Sequence, residues 1–298
     1  MGAVGDGDVS FDEAGSAVLA ALAVIVVRFD AAERATIADE PDAVHQARIL
    51  VRRMRSILAV FGSLFDEARV RRLRSALSEL GDELGGARDV EVRLEHAERH
   101  LDETASREVR ARLIDAEREQ YRRLHGELVA FLRDAGEERR RRLEDFVVDP
   151  QFSALATKAA RSELARLLER QCRRVWKAAS AATGDLESLH RLRRAARRLR
   201  YACDAVSAEP AAVFADDVRE LAAAAQGVQD VLGDHRDELL FAMQVRRAGM
   251  IAREAGEPGS SYAVIAEDAF AAAATRLEEL PLALLALRKQ ARVLRTIG

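Results

Sequence analysis

Two short stretches concentrate the chemistry of this chain. VHQARILVRRMRS occupies residues 44–56 and LHRLRRAARRLRY residues 189–201. They align so that His45 matches His190, Arg48 matches Arg193, and Arg52, Arg53 and Arg55 match Arg197, Arg198 and Arg200. Arg194 is an extra cation of the second stretch, opposite Ile49. A guanidinium is a planar fork that stays charged and donates two parallel hydrogen bonds to phosphate or carboxylate oxygens. Several in a row suit a ligand whose negative charge repeats.

On a helix, at about 100° per residue, His45, Arg48, Arg52 and Arg55 fall in one stripe roughly 80° wide. Leu50, Val51, Met54, Ile57, Leu58 and Phe61 fall on the opposite face, and Ala195, Ala196, Leu199, Ala202, Cys203 and Val206 take the same angles in the second copy. Arg53 and Arg198 sit on the shoulder, where a long stem can lie on apolar neighbours while its head turns toward the stripe. A solvated helix face normally mixes signs, because i,i+4 ion pairs gain ~0.3–0.5 kcal/mol and like charges lose about as much. Yet residues 43–65 and 188–203 hold no Asp or Glu, in a chain with 50 acids among 298 residues. Repulsion tolerated twice at matching positions marks a polyanion site. Ten helical residues cover about 15 Å, more than one small phosphate, so two facing stripes would line a groove or channel for an extended anion.

His45 and His190 lead the stripes and read as hydrogen-bond donors to that anion. Neither has a carboxylate or thiol at helical ligand spacing, and the surrounding arginines would repel a metal. Beside a bound phosphate the imidazolium is favoured, so binding should strengthen as pH falls toward the histidine range. Arg28 with Arg173, and Arg71 with Arg219, are further repeat-matched cations expected to widen the basic surface. Arg72 and Arg74 fall opposite Glu220 and Ala222, so the halves are not equally basic. LGGARD (84–89) recurs as LGDHRD (232–237), and Asp89 and Asp237 read as caps of helices that start after a glycine turn.

The remaining candidates read as structural. His96 and His100, in HAERH, have the i,i+4 spacing of half a zinc site, but no third ligand is visible. Both are expected to be exposed, as is His125. His235 has Ala87 as its counterpart and is read as structural. Cys172 and Cys203 are expected as small buried residues in a reducing compartment. There is no Walker-type glycine loop and no Ser or Cys nucleophile placed with a base, so no catalytic, metal or cofactor site is assigned.

Helices must position these groups. Long Ala, Leu, Arg and Glu stretches favour helix nearly everywhere, and no alternating strand-like run occurs. Breaks are predicted at Glu40-Pro41-Asp42, Gly85-Gly86, Asp149-Pro150, Thr183-Gly184-Asp185, Glu209-Pro210 and residues 256–261, giving an all-α fold of roughly ten helices. EERRRRLED (137–145) reads as a solvated connector. The repeat makes the chain two copies of one helical unit, residues 12–149 and 150–298, behind a disordered start at 1–11. The acidic opening is not that of a secretory signal, and the apolar run at 17–27 is too short to cross a bilayer. The chain is therefore expected in the cytoplasm, without a membrane partner.

The paired H-x-x-R-x-x-x-R-R-x-R motifs at His45 and His190, with the L-G-x-x-R-D stretches downstream, resemble the CHAD family, the conserved histidine α-helical domain, over about residues 12–296. The resemblance implies two helical bundles related by a pseudo-twofold axis, with a basic surface between them that binds inorganic polyphosphate. It assigns that binding to His45, Arg48, Arg52, Arg53, Arg55, His190, Arg193, Arg197, Arg198 and Arg200. The expected function is non-enzymatic polyphosphate binding, with polyphosphate granules as a destination. A polyphosphate-processing enzyme is the alternative, disfavoured because phosphoryl transfer usually recruits carboxylate-held metal. A nucleic-acid binder is disfavoured because no aromatic accompanies the stripes beyond Tyr201.

Overall fold

The Ala-, Leu- and Arg-rich stretches fold as helix, as their propensities require. The computed structural model describes residues 11–101, 105–134, 136–214 and 216–297. In chain order the helices are α1 (Ala14–Ile37), α2 (Ala43–Phe61), α3 (Glu67–His100), α4 (Arg107–Arg110), α5 (Ala116–Asp134) and α6 (Gly136–Val148). There follow α7 (Ala160–Ser180), α8 (Leu186–Ser207), α9 (Asp216–Glu254), α10 (Ser260–Glu278), α11 (Leu280–Gln290) and α12 (Leu294–Ile297). Among the described residues there is no strand, and two isolated bridges are the extended pairing present. The all-α expectation holds.

Local signals set several ends. Asp66 caps α3 by accepting from the Arg69 amide, and Asp185 caps α8 by accepting from Glu187 and Ser188. Those bonds hold the Asp185 carboxyl far below the usual carboxylate range, with Thr183 the leading donor. Gly184 turns the chain into α8 at φ 87°, a left-handed conformation that favours glycine.

The largest core cluster takes side chains from both sides of Pro150. Val51, Met54, Ile57 and Phe61 of α2 share it with Leu192, Ala196, Leu199 and Val206 of α8. The apolar faces read from the sequence are buried as expected. A second, smaller core joins the end of α3 to α9 and α10 through Ala97, Leu101, Phe241, Val245 and Tyr262. Segment 150–159 ties the two sequence repeats together. Its backbone bonds to Leu64 and Asp66 after α2 and to Ala14 and Gly15 at the start of α1. A Cβ on Gly15 would meet that of Ala156 at 2.6 Å, so glycine is what lets the strands of chain approach there.

Several local expectations are corrected. The Gly85-Gly86 break does not occur: α3 runs through it for 34 residues, and α9 likewise runs through Gly233. Glycine costs a helix only ~1 kcal/mol, which long-range packing overrides. EERRRRLED is not a solvated connector but most of α6, with Arg139 buried against Glu33 at 2.8 Å. His96 and His125 are buried and His100 is half-buried, against the expectation of exposure. His125 bonds the Thr36 carbonyl at 2.9 Å. The apolar run of 17–27 belongs to a 24-residue helix that is long and apolar enough, by length and composition, to cross a bilayer. Here α1 instead buries Ala17, Val18, Leu22, Ile25 and Phe29 in the core. The segment expected to be disordered, 1–11, lies outside the described residues except for Phe11, which packs against the core.

The Arg139–Glu33 pair generates the first prediction. Glu33 is 3% exposed, and its removal strands a buried guanidinium whose remaining bond is to the Leu132 carbonyl. Glu33→Ala should lower the free energy of urea unfolding by about 3 kcal/mol.

Candidate functional site

Helices α2 and α8 pack against one another, each with its apolar face in the common core. Their basic stripes therefore leave the core on the same side and converge. Arg52 and Arg55 of α2, Arg194, Arg197 and Arg198 of α8, and Arg71 and Arg74 of α3 line one cleft of about 420 Å³. Beyond Arg74 the surface continues into a groove that includes Arg69, Arg72, Arg170 and Arg174.

The cations in the cleft feel one another across the α2/α8 seam. Burial, followed by Arg52 and Arg193, pulls Arg197 down to about 9, a value at which it is still charged at neutral pH. Arg52, Arg193 and Arg198 are lowered in the same way, by burial first and neighbouring arginines after. No carboxylate lies within ion-pair distance of Arg52, Arg193, Arg194, Arg197 or Arg198 among the described residues. The Nε atoms of Arg52 and Arg193 and the Nδ1 atoms of His45 and His190 are buried without a hydrogen-bond partner. A buried donor left unmade costs roughly 1–3 kcal/mol, more when charged, so these groups are set for an acceptor from outside.

The two histidines flank this cluster in a strongly positive field. His190 is pulled down to about 4 by burial and then by Arg194, Arg236 and Arg197. His45 is lowered by burial and then by Arg88. Both are thus neutral near pH 7 in the absence of an anion.

The recurring L-G-x-x-R-D stretches lie beside the stripes, in the middle of helices. The capping role expected of Asp89 and Asp237 is therefore corrected. Asp89 pairs with Arg48 at 2.8 Å, and Asp237 exerts the leading charge interaction on Arg193. Arg48 also reaches the Gly85 carbonyl at 3.4 Å. A Cβ on the matching Gly233 would meet Nη2 of Arg193 at 2.8 Å. Glycine at this place lets the first arginine of each motif lie on the neighbouring helix backbone. The repeat itself was the signal for these residues, although their motif was read as folding detail.

Not every predicted site residue joins the cleft. Arg53 and Arg200 both lie over the Tyr201 ring, at 5.5 and 5.1 Å, and Arg200 turns toward Asp204 at 3.7 Å. Arg71 lines the cleft while pairing with Glu67. Arg28 is exposed on α1, Arg219 pairs with Asp216, and Arg173 lines a separate cavity with Trp176, Arg292 and Arg295. Those three stand outside the cleft, since matching sequence offsets place a residue on a helix but not on the face shared by two helices, and His45, Arg48, His190 and Arg193 lie beside it without lining it.

Residues 20–246 match the family model of the CHAD domain. The CHAD domain from the plant Ricinus communis is similar in structure, with a TM-score of 0.72 and 23% identity over 94% of this chain and 94% of that one. PptA from Streptomyces chartreusis is similar with a TM-score of 0.65 and 20% identity over 94% of this chain and 99% of that one. At these identities the two structures speak for the fold. No curated protein sequence matches.

Two outcomes follow from the electrostatics of the ligand-free cleft. Arg197→Met should raise the urea midpoint of the ligand-free chain, because it removes a desolvated, like-charge contact while keeping the stem. His190 binds a proton less readily folded than unfolded, so its contribution to stability is full above pH 6.5 and fades as pH falls toward about 4. Stability measured across that window should fall less in His190→Gln than in the unaltered protein.

Proposed function

The chain belongs to the CHAD domain family, and from that premise we propose that it binds inorganic polyphosphate in the arginine-lined cleft between α2 and α8 without altering it chemically. The observation that carries the reading is the convergence of both stripes on one cleft, where Arg52, Arg194, Arg197 and Arg198 meet with no carboxylate in ion-pair distance among the described residues. Successive phosphates give an acceptor for charge-assisted bonds at every step along the row. Arginine serves as a donor and counter-charge and is no proton acceptor at neutral pH. That chemistry fits holding a polyanion more directly than cleaving one.

The roles divide along the seam. Arg52 and Arg197 form the central contact with Arg193 behind them, Arg55, Arg194 and Arg198 carry the chain of phosphates toward the α3 side, and Arg71 and Arg74 extend it. His45 and His190 act as donors at the flanks, taking up a proton as the anion arrives. Single-stranded nucleic acid fits less well, because its bases need exposed stacking platforms. Tyr201, the one aromatic in either motif, is 3% exposed under two guanidinium groups. Targeting of the protein to polyphosphate granules in the cytoplasm is the cellular role that this reading proposes.

Calorimetric titration with long-chain polyphosphate should give tight binding whose affinity drops on the order of tenfold or more between about 50 and 200 mM salt. Arg52→Glu with Arg197→Glu should abolish most of it with helix content retained by circular dichroism. Affinity should rise as pH is lowered from 8 toward 6, and the rise should flatten in His45→Gln with His190→Gln. Absence of binding at low salt, phosphate release during incubation with Mg²⁺, or equal competition by single-stranded RNA would each count against the proposal.

A further inference from the structure

We propose that His96, His100 and Glu238 form a site for one divalent transition-metal ion of the zinc class, which clamps α3 to α9. The two histidines stand one turn apart on α3, and Glu238 arrives from α9, 138 residues later in the chain. Their ligand atoms all lie within 4.8 Å of one another. The sequence holds the two imidazoles in the spacing of half a zinc site, and the fold supplies the third ligand that spacing lacked.

The geometry suits coordination. Ligand atoms about 2.0–2.1 Å from a tetrahedral zinc ion stand roughly 3.3 Å apart. Oε2 of Glu238 lies 3.0 Å from Nε2 of His100 and 3.6 Å from Nδ1 of His96, on either side of that value. The second distance is too long for a hydrogen bond, and Nδ1 of His96 is buried without a hydrogen-bond partner. His96 is 6% exposed, so bulk water offers it little compensation. A plain His100–Glu238 hydrogen bond leaves that nitrogen unsatisfied, whereas a cation accepts one lone pair from each ring together with the carboxylate. Two imidazoles and one carboxylate are a borderline donor set of the kind that selects zinc over calcium or magnesium, with a fourth position left for water.

The surroundings hold the ligands in place. The His100 ring stacks on Phe241 of the smaller core at 5.0 Å between centroids, and the His96 ring lies tilted against it at 5.8 Å. Arg99 stands 3.6 Å from the other Glu238 oxygen, but its side chain is 59% exposed and free to turn to solvent once a cation takes that charge. The site is separate from the arginine-lined cleft, although Asp237, which faces Arg193, is the neighbour of Glu238 in the chain. A metal here fixes the distance between the two long helices that flank the stripes.

The test uses the full chain, stripped with chelator and free of polyphosphate, which would itself bind metal. Calorimetric titration with zinc chloride should show one ion bound per chain, accompanied by a rise in melting temperature that chelator reverses. In the unaltered protein labelled with ¹⁵N-histidine, zinc should shift two of the six histidine signals. The isosteric Glu238→Gln should weaken zinc binding about tenfold or more, and His100→Ala should do the same while circular dichroism stays unchanged. No stoichiometric zinc in the unaltered chain, a shift in signals other than those of His96 and His100, or undiminished affinity in the folded variants would overturn the site. None of these readouts depends on whether the cleft binds polyphosphate.

Discussion

The apolar core shared by α2 and α8 is the constraint on which this structure depends, because it holds mutually repelling, half-buried guanidinium groups together. Arg52, Arg193 and Arg197 are brought together because the opposite faces of their helices share one core, and apolar burial is the larger force. Each fully buried Leu or Met contributes on the order of 1.5–3 kcal/mol, against which a like-charge contact in partly solvated surroundings is small. Helices α2 and α8 each bury about half of their residues. The core therefore sets the separation of the cations, and the cations do not set the packing. This is the arrangement a preorganised anion site needs, since the donors are already in place before the ligand arrives.

Neutralisation is partial and graded. Asp89 takes one fork of Arg48 and Asp237 weighs on Arg193, while Arg88 is engaged by Glu91 and Glu95 at 3.0 and 2.8 Å. Those acids all belong to α3 or α9, outside the stripes. They engage Arg48 and Arg88 directly, while Arg52 and Arg197 have no carboxylate in ion-pair distance among the described residues. Burial raises the Asp237 carboxyl against the pull of Arg193 and Arg236. The result is a positive field that is steepest at the seam.

Much of this was legible in one dimension. The 3.6-residue period separated core from stripe on α2 and α8 residue by residue, because the face a helix buries is written in its own sequence. The doubled motif said that the two stripes had a common purpose. What stayed hidden depends on contacts between helices. Arg200 has an acid one turn on, Asp204, where its repeat-mate Arg55 has Ala59, but that Arg55 bonds Ser78 at 3.1 Å in the cleft depends on α3 and is not written in α2. Gly85-Gly86 looked like a break because a glycine's local preference was weighed without the arginine that lies on it. His96 and His100 looked exposed because Phe241 and Glu238, which cover them, are far along the chain.

The difference between Arg55 and Arg200 gives the cleft a direction. On the α3 side, Arg55, Arg198 and Arg74 face one another and the surface runs on to Arg174. On the other side, Arg53 and Arg200 are held over Tyr201 beside the Asp204 carboxyl, and the position matching Arg74 is Ala222. Positive charge thus continues from the seam toward α3, whereas on the other side two guanidinium groups are held over a buried ring beside an acid. Two sequence copies with matching basic offsets therefore differ in what flanks them, Arg74 on α3 against Ala222 on α9 and Ala59 on α2 against Asp204 on α8.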